Sequence, residues 1–124
     1  MSRPNRDPGL EWLLDLDGQV LVVDPHGAYW VKFSVRRVVR SADRPHGLEY
    51  SLTLHDSSGR RLLGYDNAHS VRTSGGPGGR PGVRRDHRHR LKAVRPYVFH
   101  DAATLLEDFW RDVDRILKGK GVIR

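Results

Sequence analysis

One long segment of the chain, DAATLLEDFWRDVDRILK (101–118), repeats its apolar residues at helical spacing throughout, and it follows the segments that alternate. Ala102, Leu105, Leu106, Phe109, Val113, Ile116 and Leu117 form an apolar stripe that Trp110 widens, while Asp108, Arg111, Asp112 and Arg115 are expected to face away. Asp101 suits the N-cap, and Lys118 with Gly119 suits the other end. A helix with one apolar face must bury it, and the apolar residues before it recur with period two. The pattern predicts an α+β domain, an antiparallel sheet of about five strands with one C-terminal helix packed on it.

In AYWVKFSVRRVVR (28–40), Tyr29, Val31, Phe33 and Val35 share one face of a strand and Lys32, Ser34 and Arg36 the other. Trp30 falls on the polar face, where burial against another element is expected. EYSLTLHD (49–56) alternates again with Tyr50, Leu52 and Leu54 inward, and Ser57-Ser58-Gly59 turns the chain into RRLLGYDNAH (60–69). EWLLDLDGQVLVVD (11–24) reads as a hairpin about Asp17-Gly18. SADRPHG (41–47) reads as a loop, so the strands follow one another as a meander. SVRTSGGPGGRPG (70–82) has five glycines and two prolines in thirteen residues and is expected to hold no regular element. RDHRHRLKAV (85–94) returns as a strand that Pro96 stops. The domain is expected over 10–118, with a flexible lead-in at 1–9, a mobile Gly/Arg-rich loop at 70–84 and a tail at 119–124.

The 124 residues suffice for one modest core. Cysteine is absent, which excludes disulfides and thiolate metal sites. MSRPNRDPGLEW holds no apolar run suited to a signal peptide, and no stretch is apolar enough for a membrane span, so a soluble cytoplasmic protein is expected. The net charge of +7 is concentrated: residues 70–96 carry eight basic side chains against the single acid Asp86, and the rest of the chain cancels. A focused positive patch attracts polyanions, nucleic acid first, then an acidic partner or anionic lipid.

The chemistry-bearing residues gather around that patch. If 87–93 is a strand, His87 and His89 share a face, and His69 joins them where the loop meets two neighbouring strands. By alternation Tyr65, Asn67 and His69 share a face and Asp66 takes the other. Three readings stay open. Histidines two apart, a third from the next strand and a carboxylate suit a divalent metal, although flanking arginines raise its cost. Histidines titrating near neutrality suit acid/base cleavage of RNA, with guanidinium groups stabilising charge on the phosphorane. Arg84, Arg85, Arg88, Arg90 and Lys92 are the candidate phosphate contacts, and Tyr65 or Tyr97 would orient phosphate or stack on a base. Third, the segment is a solvated basic surface that binds without chemistry. His26, His46, His55 and His100 sit in turns or at element ends and are explained by solvated or capping roles. No phosphate-binding or dinucleotide motif occurs.

The order of YDNAH (65–69), DHRH (86–89), PYVF (96–99) and LLEDFWRDVDRIL (105–117), with YSLTLHD ahead of them, resembles the TumE-like family of bacterial toxin–antitoxin proteins over most of 11–117. The resemblance implies a functional cluster of Tyr65, Asp66, Asn67, His69, His87 and His89. It also implies support from Tyr97 and Phe99, and a helix signature in Leu105, Asp108 and Phe109, with Asp108 holding a basic residue or histidine of the site. Asp86 stands where the family often has a further histidine, and the 75–82 glycine insertion is long. A cytoplasmic toxin encoded beside an antitoxin with a helix-turn-helix domain is implied. Joined with the histidines and arginines, this gives the expected function: a type II toxin acting as a metal-independent endoribonuclease, with no cofactor. His69, His87, His89, Asp66 and Tyr65 are its catalytic set, and Asn67 and Asp108 support them. The alternatives are a non-catalytic module binding nucleic acid or an acidic partner, and a toxin modifying another target.

Overall fold

A computed structural model describes residues 9–67, 70–71, 83–84, 86–90 and 93–123. The elements are α1 (Leu10–Asp15), β1 (Val20–Val22), β2 (Trp30–Arg37), β3 (Leu48–His55), β4 (Arg61–Asp66), β5 (Ser70–Val71), β6 (Val83–Arg84), β7 (His87–Arg90), β8 (Ala93–Pro96) and α2 (Ala102–Gly119). Six strands form one antiparallel sheet in the order β1-β2-β3-β4-β7-β8, and β5 pairs with β6 separately. This is the expected α+β arrangement, with one strand more than the alternation indicated.

The sheet register follows the alternation. Val31 lies opposite Leu54, Phe33 opposite Leu52 and Val35 opposite Tyr50; across the next ladder Leu52 meets Tyr65 and Leu54 meets Leu63. Antiparallel partners share a face, so these residues form one apolar surface, all of it buried. The surface packs on α2, whose Leu105, Phe109, Val113, Ile116 and Leu117 are buried against it. Phe109 meets Phe33 and Tyr65 edge to face, with ring centroids 5.8 and 6.0 Å apart. Burying each such side chain contributes about 1.5–3 kcal/mol, and this contact is what holds helix to sheet. The Asp101 side chain accepts the Thr104 N–H at 2.7 Å, the expected N-cap. At the other end the helix runs through Gly119 with Lys118 in its last turn, and Gly121, at φ +73°, lets Val122 N–H reach the Leu117 carbonyl at 2.9 Å.

Four expectations need correction. The segment 11–24 is not a hairpin. LEWLLD winds into α1 because Leu10, Leu13 and Leu14 stand at helical spacing and Leu13 is fully buried where α1 meets α2 and β2. Gly18 does take a positive φ of +80°, but its turn joins helix to strand, and Asp17 accepts the Val35 N–H at 2.8 Å. Gly9 starts α1 against the first turn of α2, where a Cβ would lie 2.6 Å from the Ala103 nitrogen. The second correction is at 85–94, which is two strands: β7 and β8 pair with Arg90 opposite Ala93, so the chain reverses between them. Third, Ser70–Val71 pairs with Val83–Arg84, so the glycine-rich stretch begins in a strand. Fourth, Trp30 stacks on His55, its cross-strand partner, at 5.7 Å instead of burying against another element. The lead-in at 1–8 and residues 72–82 of the expected mobile loop lie outside the described residues.

Both helices lie on one face, since α1 touches α2 and β2 while α2 touches β4. The opposite face carries Lys32, Ser34, Ser51, Thr53, Asp66, His87 and His89.

Candidate functional site

β4 and β7 pair with Asp66 opposite His87 and Gly64 opposite His89. Alternation then puts Asp66, His87 and His89 on the face away from the helices. Gly64 has no side chain, and the Arg61 and Thr53 side chains lie over it, 3.4 and 3.6 Å from where a Cβ would stand. His87 Nε2 lies 3.0 Å from Asp66 Oδ1, and His89 Nε2 lies 3.2 Å from Asp66 Oδ2. The imidazoles meet edge to face with centroids 4.5 Å apart. The Asp66 and His87 side chains are 2% and 4% exposed, and His89 is 15% exposed, so access to the cluster is from the His89 side. Burial pushes the His89 pKa below its ordinary value; Asp66 opposes this, and the charges of Arg61 and His87 add to it. One donor atom from each of the three residues lies within 4.8 Å of the others, a spacing that fits one metal ion.

The alternate residues of the same motifs turn to the helix side. The Tyr65 hydroxyl donates to Asp112 Oδ2 at 2.5 Å, and Arg88 lies 3.3 Å from the same oxygen and 3.5 Å from the Tyr65 hydroxyl. Tyr97 donates to Asp108 Oδ2 at 2.6 Å, and Arg111 pairs with Asp108 at 3.1 Å. The Tyr65 and Tyr97 rings pack edge to face at 4.8 Å. Burial first, then Asp112, pushes the Tyr65 pKa up to about 12 even though Arg88 pulls it down; burial and Asp108 raise that of Tyr97. Asp108 and Asp112 therefore accept hydrogen bonds from the neutral phenols at the sheet–helix interface, and Asp112 is buried. The expectation that both face solvent is corrected. Asp108 does hold a basic residue, Arg111, but no described contact joins it to the histidines.

Asn67 works on the ladder itself. Its Oδ1 accepts the Tyr50 N–H and its Nδ2 donates to the Leu48 carbonyl, both at 2.8 Å, so the side chain continues β3's pairing where β4 ends. Asp86 accepts the Tyr50 hydroxyl at 2.6 Å and so anchors the start of β7 to the core.

Of the expected catalytic set, the structure brings Asp66, His87 and His89 together and puts Tyr65 on the opposite face; His69 lies outside the described residues. Of the expected phosphate contacts, Arg88 turns to α2. Arg90 lines a cleft of about 240 Å³ with Leu62, Arg115, Ile116, Gly119 and Lys120. Tyr97 is engaged by Asp108; Arg85 and Lys92 lie outside the described residues, as does the side chain of Arg84. Arg61, beside His89, was not singled out by the sequence; a register shift at Leu54/His55 places it, and period-two counting does not reveal such a shift. Asp86 also went unrecognised, although a fully buried Tyr50 hydroxyl requires an acceptor.

An antiparallel meander backed by a terminal helix, with a histidine–carboxylate cluster on the sheet face away from it, defines a small α+β protein with one group of three metal-ligand-type side chains among the described residues. The family model described as toxin TumE matches residues 25–117, and the chain belongs to that family. It is thus a protein of a toxin family, and membership implies an antitoxin partner in general. No curated protein and no solved structure matches the chain. No described helix is long and apolar enough to cross a membrane.

Proposed function

We propose that the protein is the toxin of a type II toxin–antitoxin pair and acts as an endoribonuclease whose reactive centre is Asp66, His87 and His89. The observation that carries this reading is the seating of two imidazoles on one buried carboxylate, reached from outside past His89. The charge of +7, concentrated in 70–96, supports a polyanionic substrate, and Arg61 stands beside the centre to meet a phosphate. The reaction removes the proton of the 2′-hydroxyl, joins the 2′-oxygen to phosphorus and breaks the bond from phosphorus to the 5′-oxygen, which leaves protonated. Because both histidines contact the same carboxylate, the arrangement supports one reacting position more than a base and an acid on opposite sides of a phosphate. The expected cytoplasmic location and a helix-turn-helix antitoxin belong to this reading.

The test is purified protein on total cellular RNA, wild type against His89→Ala, with the variant's fold checked by circular dichroism. Cleavage lost in a variant that melts like wild type supports the assignment. Equal cleavage by the variant removes His89 from the chemistry. RNA left intact by wild type but retained in a salt-sensitive manner points to the non-catalytic binding module. Neither cleavage nor retention points to modification of another target.

A further inference from the structure

We propose that Asp66, His87 and His89 form the binding site of one divalent metal ion of the zinc class, held by two imidazoles and one carboxylate with a position left open toward His89's exposed side. Its catalytic consequence rests on reading this cluster as the reactive centre; the binding does not. The sequence leaves a divalent ion open as one of three readings while the expected function is metal-independent; the argument for an ion comes from how the ring nitrogens and the carboxylate are arranged.

The donors are of the right kind, since imidazole nitrogen and carboxylate oxygen together suit zinc, cobalt, nickel and ferrous iron better than magnesium or calcium. They are also at the right spacing. Bonds of about 2.0–2.2 Å at angles of about 90–110° set neighbouring ligand atoms roughly 2.9–3.5 Å apart. His87 Nε2 lies 3.0 Å from Asp66 Oδ1 and His89 Nε2 3.2 Å from Oδ2, and one donor atom from each of the three residues lies within 4.8 Å of the others. Asp66 Oδ1 is fully buried and accepts no hydrogen bond from the described residues, although His87 Nε2 lies 3.0 Å away. A buried carboxylate oxygen without a donor is costly, and a cation at this point compensates it. The ligands stand on paired strands in fixed register, so little ordering is needed on binding.

Three protein ligands with a fourth position open is the pattern of catalytic sites, where structural sites are closed. An ion there supplies a Lewis acid to a phosphate oxygen and brings the pKa of bound water to about 7. Arg61 works against the ion electrostatically but draws an anionic phosphodiester to the same open position.

The experiment is zinc binding by the full chain after chelator treatment and dialysis, followed by calorimetry and, with cobalt, by visible absorption. The expected result is one equivalent bound by wild type. Affinity should fall by roughly 100-fold or more in Asp66→Asn and His89→Gln and stay unchanged in His26→Ala, a turn residue remote from the cluster in sequence. Each variant is melted in chelator first. Should either ligand variant fail to fold, the cobalt spectrum of wild type decides: absorption bands of cobalt with mixed nitrogen and oxygen ligands support the site, and a spectrum of free aqueous cobalt overturns it. Zinc bound equally by wild type and both ligand variants, or by neither, also overturns it. The two readings fail separately. One equivalent of zinc without RNA cleavage leaves the metal site standing and removes the nuclease. RNA cleavage undiminished by chelator in a chain that binds no ion does the reverse.

Discussion

Replacing Asn67 with alanine separates a ladder residue from a reactive one. The Asn67 side chain is 3% exposed and makes two hydrogen bonds of 2.8 Å to the β3 backbone, accepting from Tyr50 N–H and donating to the Leu48 carbonyl. Alanine leaves both backbone groups buried without a partner, at about 1–3 kcal/mol each when nothing replaces the bond. Water entering the vacated space recovers part of this, so the expected loss is about 2–4 kcal/mol, out of a typical total of about 5–15 kcal/mol. In a domain of this size that lowers the melting temperature by roughly 10 °C. Asn67→Asp is the sharper variant. It can still accept from Tyr50 N–H, but it loses the donor and sets a carboxylate against the Leu48 carbonyl, so it should melt no higher than the alanine variant. The assay is thermal and urea unfolding followed by circular dichroism, with RNA cleavage measured well below both melting temperatures. On the proposed nuclease reading, both variants should retain cleavage there. A melting temperature within about 2 °C of wild type, with cleavage abolished, would falsify the ladder role and return Asn67 to the chemistry.

Tyr65→Phe removes the hydroxyl bonded to Asp112 but leaves Arg88 as that carboxylate's partner, so unfolding free energy should drop by about 1–2 kcal/mol with cleavage kept; a stable, inactive variant contradicts the helix-side placement of Tyr65. Asp101→Ala should cost about 1 kcal/mol through the lost cap. The bonds to Thr104 hold the Asp101 pKa below its ordinary value, so its stabilisation is present above the unfolded carboxyl's pKa and disappears as pH falls through the folded one. Unfolding curves of variant and wild type should therefore converge in acid. At the alkaline end, Tyr65 is pushed up to about 12, and Tyr50 and Tyr97 are raised as well. The stability their neutral phenols contribute is complete below the unfolded pKa of about 10 and is lost as pH rises through the folded values. Near-ultraviolet phenolate absorbance should show these three ionising together with unfolding; their full ionisation in a still-folded chain would refute the burial argument.

What was legible in the sequence was whatever periodicity encodes. Val31, Phe33 and Val35 alternate against Leu52 and Leu54, and the 101–118 stripe is long enough that neighbouring residues cannot override it. α1 is a single six-residue segment, too short for its own spacing to decide. Its state depends on Leu13 being buried between α2 and β2, a tertiary fact. Asp108 and Asp112 were unreadable for a related reason. They flank the apolar stripe and look solvated until the sheet register brings Tyr97 and Tyr65 over them. For the candidate site, alternation places His87 and His89 on one face and the resemblance names Asp66, but only the pairing of β4 with β7 seats that aspartate between them.

The two motifs that carry the resemblance are therefore interleaved rather than unitary. Along YDNAH, Tyr65 turns to α2, Asp66 to the face away from the helices and Asn67 into the β3 ladder. Along DHRH, Asp86 holds Tyr50, His87 and His89 reach Asp66, and Arg88 returns to Asp112. A strand can do this because its period is two and each face meets different surroundings. Aspartate recurs with opposite partners on the two faces: Asp66 gathers imidazoles, while Asp108 and Asp112 gather phenols and guanidinium groups. The helix-side contacts fix the positions of β4 and β7 from behind, and this holds the Asp66–His87 register to which the open-face geometry is sensitive. Loss of toxicity on mutating a helix-side residue would thus pass through strand position, whereas loss at Asp66 or His89 would pass through the donor atoms themselves.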